Sequence, residues 1–287
     1  LYYWVSRPEF ADYLSAHAKG AAYPAVSPED IGAAHISLPP LADQRRIAAI
    51  FSAYDDLIEN NLRRIKIMEE MARSLYREWF VSFRFPGHDK APCVGSSFGP
   101  IPQGWRVTAV NDVLARRPAN KVYREADVSP EGPVPVVDQS TSEILGFHND
   151  EAGHLATPEN PLVIFGDHTC KMQLLIEPFS VGPNVVVFGA HGDRPISYLF
   201  YVVRSLVHTQ EYKRHWNQLA AKEIVLADQT TANKFSASIQ GWMQLAETLR
   251  RKNRLLCRSR DLLLPRLLSG QALIGEAALS AVRSALN

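Results

Sequence analysis

The chain has 287 residues, 31 Lys and Arg against 30 Asp and Glu, a net charge of +1 and 46% hydrophobic residues. These are the values of an ordinary globular protein of one or two domains, and they exclude a chain-wide polycation while leaving room for a local basic face. Three widely separated cysteines, Cys93, Cys170 and Cys257, form no C-x-x-C pair, which argues against a disulfide framework or a zinc site and for a reducing cytoplasm; no run of 18 apolar residues or secretory signal pattern occurs.

In chain order, residues 1–5 predict a β-strand, 8–19 a short helix with Glu9, Phe10, Tyr13 and Leu14 at helical spacing, 20–28 a loop and 36–38 a last short strand. Pro39-Pro40 then starts a long helix, with proline at its first position. From Leu41 to Phe85 there is no Gly or Pro, so the helix can run for about 65 Å. One heptad row reads Phe51, Ile58, Ile65, Ala72, Trp79 and the other Ile47, Tyr54, Asn61, Met68, Leu75, the pattern of a coiled-coil seam with Asn61 setting register. Residues 86–102, rich in Gly, Pro and Ser, predict a linker.

From Gly104 to about Tyr201 short apolar runs recur between turns, at 134–137, 162–165, 174–176, 184–188 and 198–203, which predicts a mainly β core. Residues 208–221 read as helix. A second long helix is expected from Leu226 to about Leu264, with Pro265 kinking or ending it and Gly270 capping it. Its seam, Phe235, Trp242, Leu249, Leu256, Leu263 with Ile239, Ala246, Asn253, Arg260, Leu267, is poorer because of Asn253 and Arg260. Residues 271–287 are a weakly patterned tail.

The chain repeats itself. Leu226-Ala-Asp-Gln229 echoes Leu41-Ala-Asp-Gln44, and Leu199-Phe-Tyr-Val-Val203 echoes Leu1-Tyr-Tyr-Trp-Val5. The period is one domain plus one helix, and the first copy lacks most of its domain. With no Met at the start, this suggests a fragment or incomplete reading frame.

Catalytic signals are few. Asp167-His168-Thr-Cys170 places a nucleophile near a base without an orienting third group, and reads better as a structural or recognition turn. His148, His154, His168 and His191 match no metal-binding spacing, and neither a dinucleotide fingerprint nor a phosphate-binding P-loop occurs. The basic residues say more. Arg106, Arg116, Arg117, Lys121 and Arg124 crowd the start of the β-rich domain, and Arg250, Arg251, Lys252, Arg254, Arg258 and Arg260 fill one stretch of the second helix; either group suits phosphates, and the helical one equally suits a solvated flank. Gln139, Ser140 and Thr141, His148, Asp167 and His168 with Lys171, and Arg194 supply base-reading side-chain types in predicted turns.

The segment from Leu41-Ala-Asp-Gln-Arg-Arg46 through Asn60-Asn61 to Leu75-Tyr-Arg-Glu-Trp-Phe80 resembles the central conserved region of specificity subunits of type I restriction-modification systems. Ile101-Pro-Gln-Gly-Trp105 resembles the start of a target recognition domain of that family, and Leu264-Pro-Arg-Leu-Leu-Ser-Gly270 the end of its distal conserved helix. The resemblance implies an α+β protein: a mixed, mainly β target recognition domain with two long helices forming an antiparallel coiled coil that acts as spacer. It maps residues 1–38 to the remnant of a first recognition domain, 39–85 to the central helix, 86–103 to a linker, 104–223 to the second recognition domain and 224–270 to the distal helix.

The resemblance further implies a non-enzymatic subunit that binds double-stranded DNA and directs adenine methylation and restriction by its partners. Methyltransferase subunits would dock at the helices, through Leu41, Gln44, Arg45, Arg46, Trp79 and Phe80, and a motor and nuclease subunit would join them. S-adenosylmethionine, ATP and Mg²⁺ would sit on those partners and no cofactor on this chain. Two departures stand out: a single intact recognition domain, which a homodimer would restore to two, and the degraded second motif Leu226-Ala-Asp-Gln-Thr-Thr231. A coiled-coil assembly scaffold without a DNA role and a stand-alone nuclease are the alternative readings.

Overall fold

A computed structural model of the chain describes residues 1–5, 7–20, 24–36, 38–119, 121–207 and 215–268. In chain order it contains α1 (Tyr2–Val5), α2 (Pro8–His17), α3 (Pro28–Gly32), α4 (Leu41–Tyr76), β1 (Cys93–Ser96), β2 (Gly99–Pro102), β3 (Arg106–Ala109), β4 (Leu114–Arg116), β5 (Val134–Val137), β6 (Gly146–His148), β7 (Leu162–Gly166), β8 (Met172–Leu175), β9 (Ser180–Val181), β10 (Val185–Ala190), α5 (Ile196–Leu206), α6 (Trp216–Ala220), β11 (Glu223–Leu226) and α7 (Gln229–Leu268). The mixed helix and sheet content matches the expected class. The chain divides into two compact units, Leu1–Lys66 with Thr248–Asn287, and Ile67–Glu247.

The first unit is built on the early part of α4 and the late part of α7. Its core is Ile47, Ile50, Phe51, Tyr54, Leu256 and Leu267. Asn61 donates to Asn253 at 2.8 Å, and Arg260 donates to Asp55 at 2.8 Å, so numbers rise on one helix as they fall on the other and the two run antiparallel here. The predicted seam positions Ile47, Phe51, Tyr54, Asn61 and Ile65 are buried. So is Ile50, outside both heptad rows, which makes the buried stripe wider than a strict two-position seam.

Residues 2–5 form the helical turn α1 rather than a strand. The Tyr3 ring lies tilted against Phe51 at 4.9 Å and its hydroxyl donates to Asp55 at 2.8 Å, so the turn is held against α4. The expected loop 20–28 runs into α3, whose capping box pairs Ser27 with Asp30 behind Pro28. The described residues Ile36 and Leu38 are not in a strand. α4 starts at Leu41, with the Pro40 carbonyl accepting from the amides of Asp43 and Gln44, so Pro40 precedes the first helical position instead of occupying it. α7 continues through Pro265 to Leu268. Gly270, Ser269 and the predicted tail lie outside the described residues.

The second unit holds the sheets. β4-β10-β7-β8 form an antiparallel four-stranded sheet, β6-β5-β9 a three-stranded one in which β5 and β9 are parallel, and β1-β2 a hairpin. That hairpin lies in the stretch predicted as linker; Ile101 is buried and pins it to the core. Four of the five apolar runs are strands, with ends that agree to within two residues. The fifth, 198–203, lies inside α5: seven of its 11 residues are buried, and an element buried on nearly all sides has no periodicity to separate helix from strand. The echoing segments 1–5 and 199–203 are therefore both helical. The predicted helix at 208–221 is seen as α6, and residues 208–214 lie outside the described set.

α4 does not reach Phe85. A π turn, Arg77–Val81, follows Tyr76, with the Ser82 amide on the Arg77 carbonyl at 2.8 Å, and Phe83 at φ 55° ends the run. The widened turn carries Phe80 into the domain core, 4.7 Å from Tyr198, 5.2 Å from Phe235 and 5.6 Å from Trp105. The domain closes on itself where β3 pairs with β11, which is why α7 starts at Gln229 and not at the predicted Leu226. Beside that pair the Trp105 indole donates to Asp228 at 3.0 Å, and Asp228 caps α7 by accepting from the Thr231 amide and hydroxyl at 2.9 and 2.6 Å.

Candidate nucleic-acid interface

Segments far apart in sequence meet at one end of the β domain. The tight loop after β7 is closed by the Gly166 amide on the Lys171 carbonyl and the Cys170 amide on the Gly166 carbonyl, both at 2.8 Å, with Cys170 at φ 56°. The loop after β5 lies against it. Gln139 accepts from the His168 amide through its side-chain oxygen at 3.1 Å and from the Thr169 hydroxyl through its carbonyl at 2.8 Å, while Lys171 Nζ donates to the Ser142 carbonyl at 2.5 Å. Gly166 allows this approach, since a Cβ there would sit 2.8 Å from the Gln139 Cβ and 2.6 Å from the Thr169 hydroxyl.

Two further segments join. The Gly182 amide donates to Val137 at 2.9 Å, the Asp167 amide to Asn184 at 2.9 Å and the Tyr123 amide to Val181 at 3.0 Å. A Cβ on Gly182 would lie 2.7 Å from that of Asp138. Loops around 121–124, 138–142, 166–171 and 182–184 thus form one knitted surface, and the residues predicted to read bases divide by what the knitting uses.

Lys121, Arg124 and Thr141 are exposed. Lys121 bonds Asp150 at 2.7 Å and sits 4.5 Å over the Tyr123 ring; the Asp150 hydrogen bond raises its pKa. Gln139, Ser140, Asp167, His168 and Lys171 are half-buried. Ser140 bonds Asp138 at 2.6 Å, and Asp167 accepts the Trp216 amide at the start of α6 at 2.8 Å. Burial lowers the pKa of Lys171, against the pull of Asp138 and Glu143.

Two residues depart from the expectation. His148 is buried: it stacks on Tyr123 at 4.0 Å, its Nδ1 accepts the Asp150 amide at 3.1 Å, and Nε2, which then carries the proton, donates to Ser180 at 2.9 Å. A side chain held this way supports the surface and does not reach a groove. Arg194 lies beyond the other end of β10, donating to the Ala227 carbonyl at 2.9 Å and pairing with Asp193 at 2.6 Å.

Sequence reasoning missed Asp138, Ser142, Asp150, Tyr123 and Asn184. The Asp138-x-Ser140 spacing of an Asx turn and the Gly182-Pro-Asn184 turn were the available signals. The predicted basic cluster also separates: Arg116 lies 5.6 Å over the Trp216 ring and Arg117 lines a groove elsewhere. Burial first, and Asp167 second, push the Cys170 thiol pKa up, so it is a poor nucleophile. Among the described residues no group of three or more His, Cys, Asp or Glu is placed to hold a metal ion, and no helix is long and apolar enough to cross a membrane.

Of the predicted partner contacts, Leu41, Arg45 and Arg46 are exposed at the start of α4, with Arg46 3.7 Å from Asp43. Gln44 bonds the Pro39 carbonyl at 2.8 Å. Trp79 is half-buried, 6.0 Å from Phe235, and Phe80 is a core residue, so the Leu75–Phe80 motif ties helix to domain and offers Phe80 to no partner.

The structure thus presents two long helices and a mixed domain whose turns at 121–124, 138–142, 166–171 and 182–184 gather at one end. Residues 1–69 match the family described as type I restriction modification DNA specificity domain. Along 96% of its length the chain is 22% identical to the type I restriction enzyme MjaIX specificity subunit of Methanocaldococcus jannaschii, covering 69% of that protein. Over 40% of the chain it is 27% identical to the MjaVIII specificity subunit of the same organism, covering 26% of it. The S subunit of a type I system from M. genitalium has a similar fold, with a TM-score of 0.51 and 13% identity over 88% of this chain and 68% of that one. The chain is thus similar to specificity subunits of type I restriction-modification systems.

Proposed function

We propose that the chain selects a DNA sequence for a type I restriction-modification complex and leaves the chemistry to its partners. In this reading residues 104–223 form the recognition domain, 39–85 and 224–270 the helical segments that space it and dock methyltransferase subunits, and 1–38 the end of a further recognition domain. The observation that carries it is the knitted surface: turns rich in amides, hydroxyls and Lys or Arg are held in fixed positions, as base reading requires. Arg124 and Lys121 at its edge suit phosphates, with Thr141, His168 and Lys171 nearer the bases.

The methyltransferase partner would bind S-adenosylmethionine and rotate the adenine out of the duplex, and a motor and nuclease subunit would use ATP and Mg²⁺. The test is co-expression with a type I methyltransferase subunit, followed by mapping of methylated adenines on random-sequence DNA. One short motif, altered when residues 139–141 and 166–171 are exchanged together, is the expected result. Methylation absent, or a motif indifferent to both loops, would sink it.

A further inference from the structure

Tyr123 sits at the edge of the knitted surface and is fixed from several sides. Val122 and Val181 form a parallel bridge, the Tyr123 amide donates to the Val181 carbonyl at 3.0 Å, and its ring stacks on the buried His148 at 4.0 Å. The residue is buried, yet its hydroxyl donates to an exposed carboxylate, that of Asp150, at 2.8 Å. The same oxygen, Asp150 Oδ2, accepts from Lys121 Nζ at 2.7 Å, and Lys121 lies 4.5 Å over the Tyr123 ring. Two donors, one of them a cation, thus converge on a single anionic oxygen.

The backbone beneath that oxygen is anchored independently of the charge. The Asp150 amide donates to His148 Nδ1 at 3.1 Å, and Ser180 Oγ in β9 accepts both His148 Nε2 and the Gly153 amide at 2.9 Å. The exposed Asp150 side chain can therefore leave the two donors by rotation alone, with its main chain in place. The Lys121 hydrogen bond, ahead of the one from Tyr123, holds the Asp150 carboxyl below the ordinary aspartate range, so it is an anion at neutral pH.

With both side chains more than half exposed, the Lys121–Asp150 pair contributes little to stability. What the geometry provides is a preformed seat for one anionic oxygen, and its occupant shows the charge it takes. On a surface that meets DNA, the competing anionic oxygen belongs to a backbone phosphate. We propose that Lys121 and Tyr123 form a phosphate cradle that Asp150 fills in the free chain, and that DNA enters it by displacing Asp150. The proposal rests on the reading that the knitted surface meets DNA. Its consequence is a throttle on sequence-independent binding: Lys121 and Asp150 carry no net charge together, so DNA gains nothing from Lys121 until the carboxylate has moved.

The test uses the full chain and a labelled duplex of random sequence, titrated over a range of salt concentrations. Asp150→Asn keeps the amide on His148 and a neutral acceptor for both donors. It should tighten binding about three- to tenfold at low salt and steepen the salt slope by about 0.9. In the Lys121→Ala background the same change should bring no gain. Tyr123→Phe, which keeps the ring on His148, should reduce the gain by about twofold or more. A gain that persists without Lys121 would come from the lost repulsion of one carboxylate and overturns the proposal. A melting temperature lowered by more than about 2 °C in Asp150→Asn would make the carboxylate a structural anchor and also overturns it. If wild type binds the duplex and Asp150→Asn binds no better, this proposal alone falls. If wild type binds no DNA at all, the reading beneath it falls as well.

Discussion

Asn61 stands at a heptad position whose other occupants are Ile47, Tyr54, Met68 and Leu75, and it is 2% exposed. Its partner is Asn253, the residue that made the second seam look poor, which also donates to the Ile58 carbonyl at 3.3 Å. The other flaw, Arg260, finds Asp55, which holds Tyr3 as well. Each polar residue was legible in the sequence as an interruption; that they answer each other across the helix pair was not, because pairing depends on a register that periodicity leaves open. Asn61→Ala should cost about 1–3 kcal/mol by leaving the Asn253 side-chain oxygen without its donor, while Asn61→Leu with Asn253→Leu should recover most of it and loosen register. Denaturant melts with a double-mutant cycle measure the first, and a cysteine crosslink between the helices the second. Asp228 gives a pH test. Burial works to raise its pKa, but hydrogen bonds from Thr231 and Trp105 outweigh it and hold the carboxyl below the ordinary aspartate value. Its contribution is full above the unfolded value, about 3.9, and is lost as pH falls through the lower folded value. Asp228→Ala should therefore lie about 1–2 kcal/mol below wild type at pH 6, a gap that narrows below about pH 4; a constant gap would refute the carboxylate's role.

Among the elements, the amphipathic helices were the most legible, since their apolar rows face one side only. α5 was misread because nearly every face of it is buried. The end of α4 was misread for a different reason: nothing in Arg77–Val81 forbids a helix, and the π turn exists because Tyr76 and Phe80 fit a core assembled from Tyr198, Tyr201 and Phe235, residues more than a hundred positions away. The hairpin hidden in the Gly- and Pro-rich stretch is likewise held by Ile101 against that core and not by its own propensities. Phe80 supplies the discriminating test. As a core residue it should cost about 3–5 kcal/mol on replacement by Ala, visible in thermal melts of the isolated chain. As a docking residue, it would change partner binding and leave the melt alone.

For the whole molecule, the division of labour was more legible than the site. The types of side chain needed to read DNA stood in the predicted turns, and the turns do meet; which of them face outward depends on long-range contacts such as Gly166 against Gln139 and His148 against Ser180. Electrostatics separates the two basic candidates. Arg124→Ala should reduce the salt slope of DNA binding by about one phosphate's worth, near 0.9 in the logarithmic plot. Lys121→Ala should reduce it less, because Asp150 already offsets that charge. Equal slopes for both variants and wild type in filter-binding titrations would remove this edge from the interface.

The pairing of β3 with β11, locked by Trp105 on Asp228, brings the strand that follows the β1-β2 hairpin and the last strand side by side. A domain whose two ends leave from one place is topologically a cartridge: the segment between Ala109 and Glu223 can be exchanged through two adjacent splice points, provided that the incoming sequence supplies apolar partners for Tyr76 and Phe80 where Tyr198 and Tyr201 now stand. On the proposed function, recombination at those two short segments would give a new DNA preference in a single event, with the antiparallel register set by Asn61 and Asn253 left untouched. Selection can then act hard on the frame and lightly on its contents.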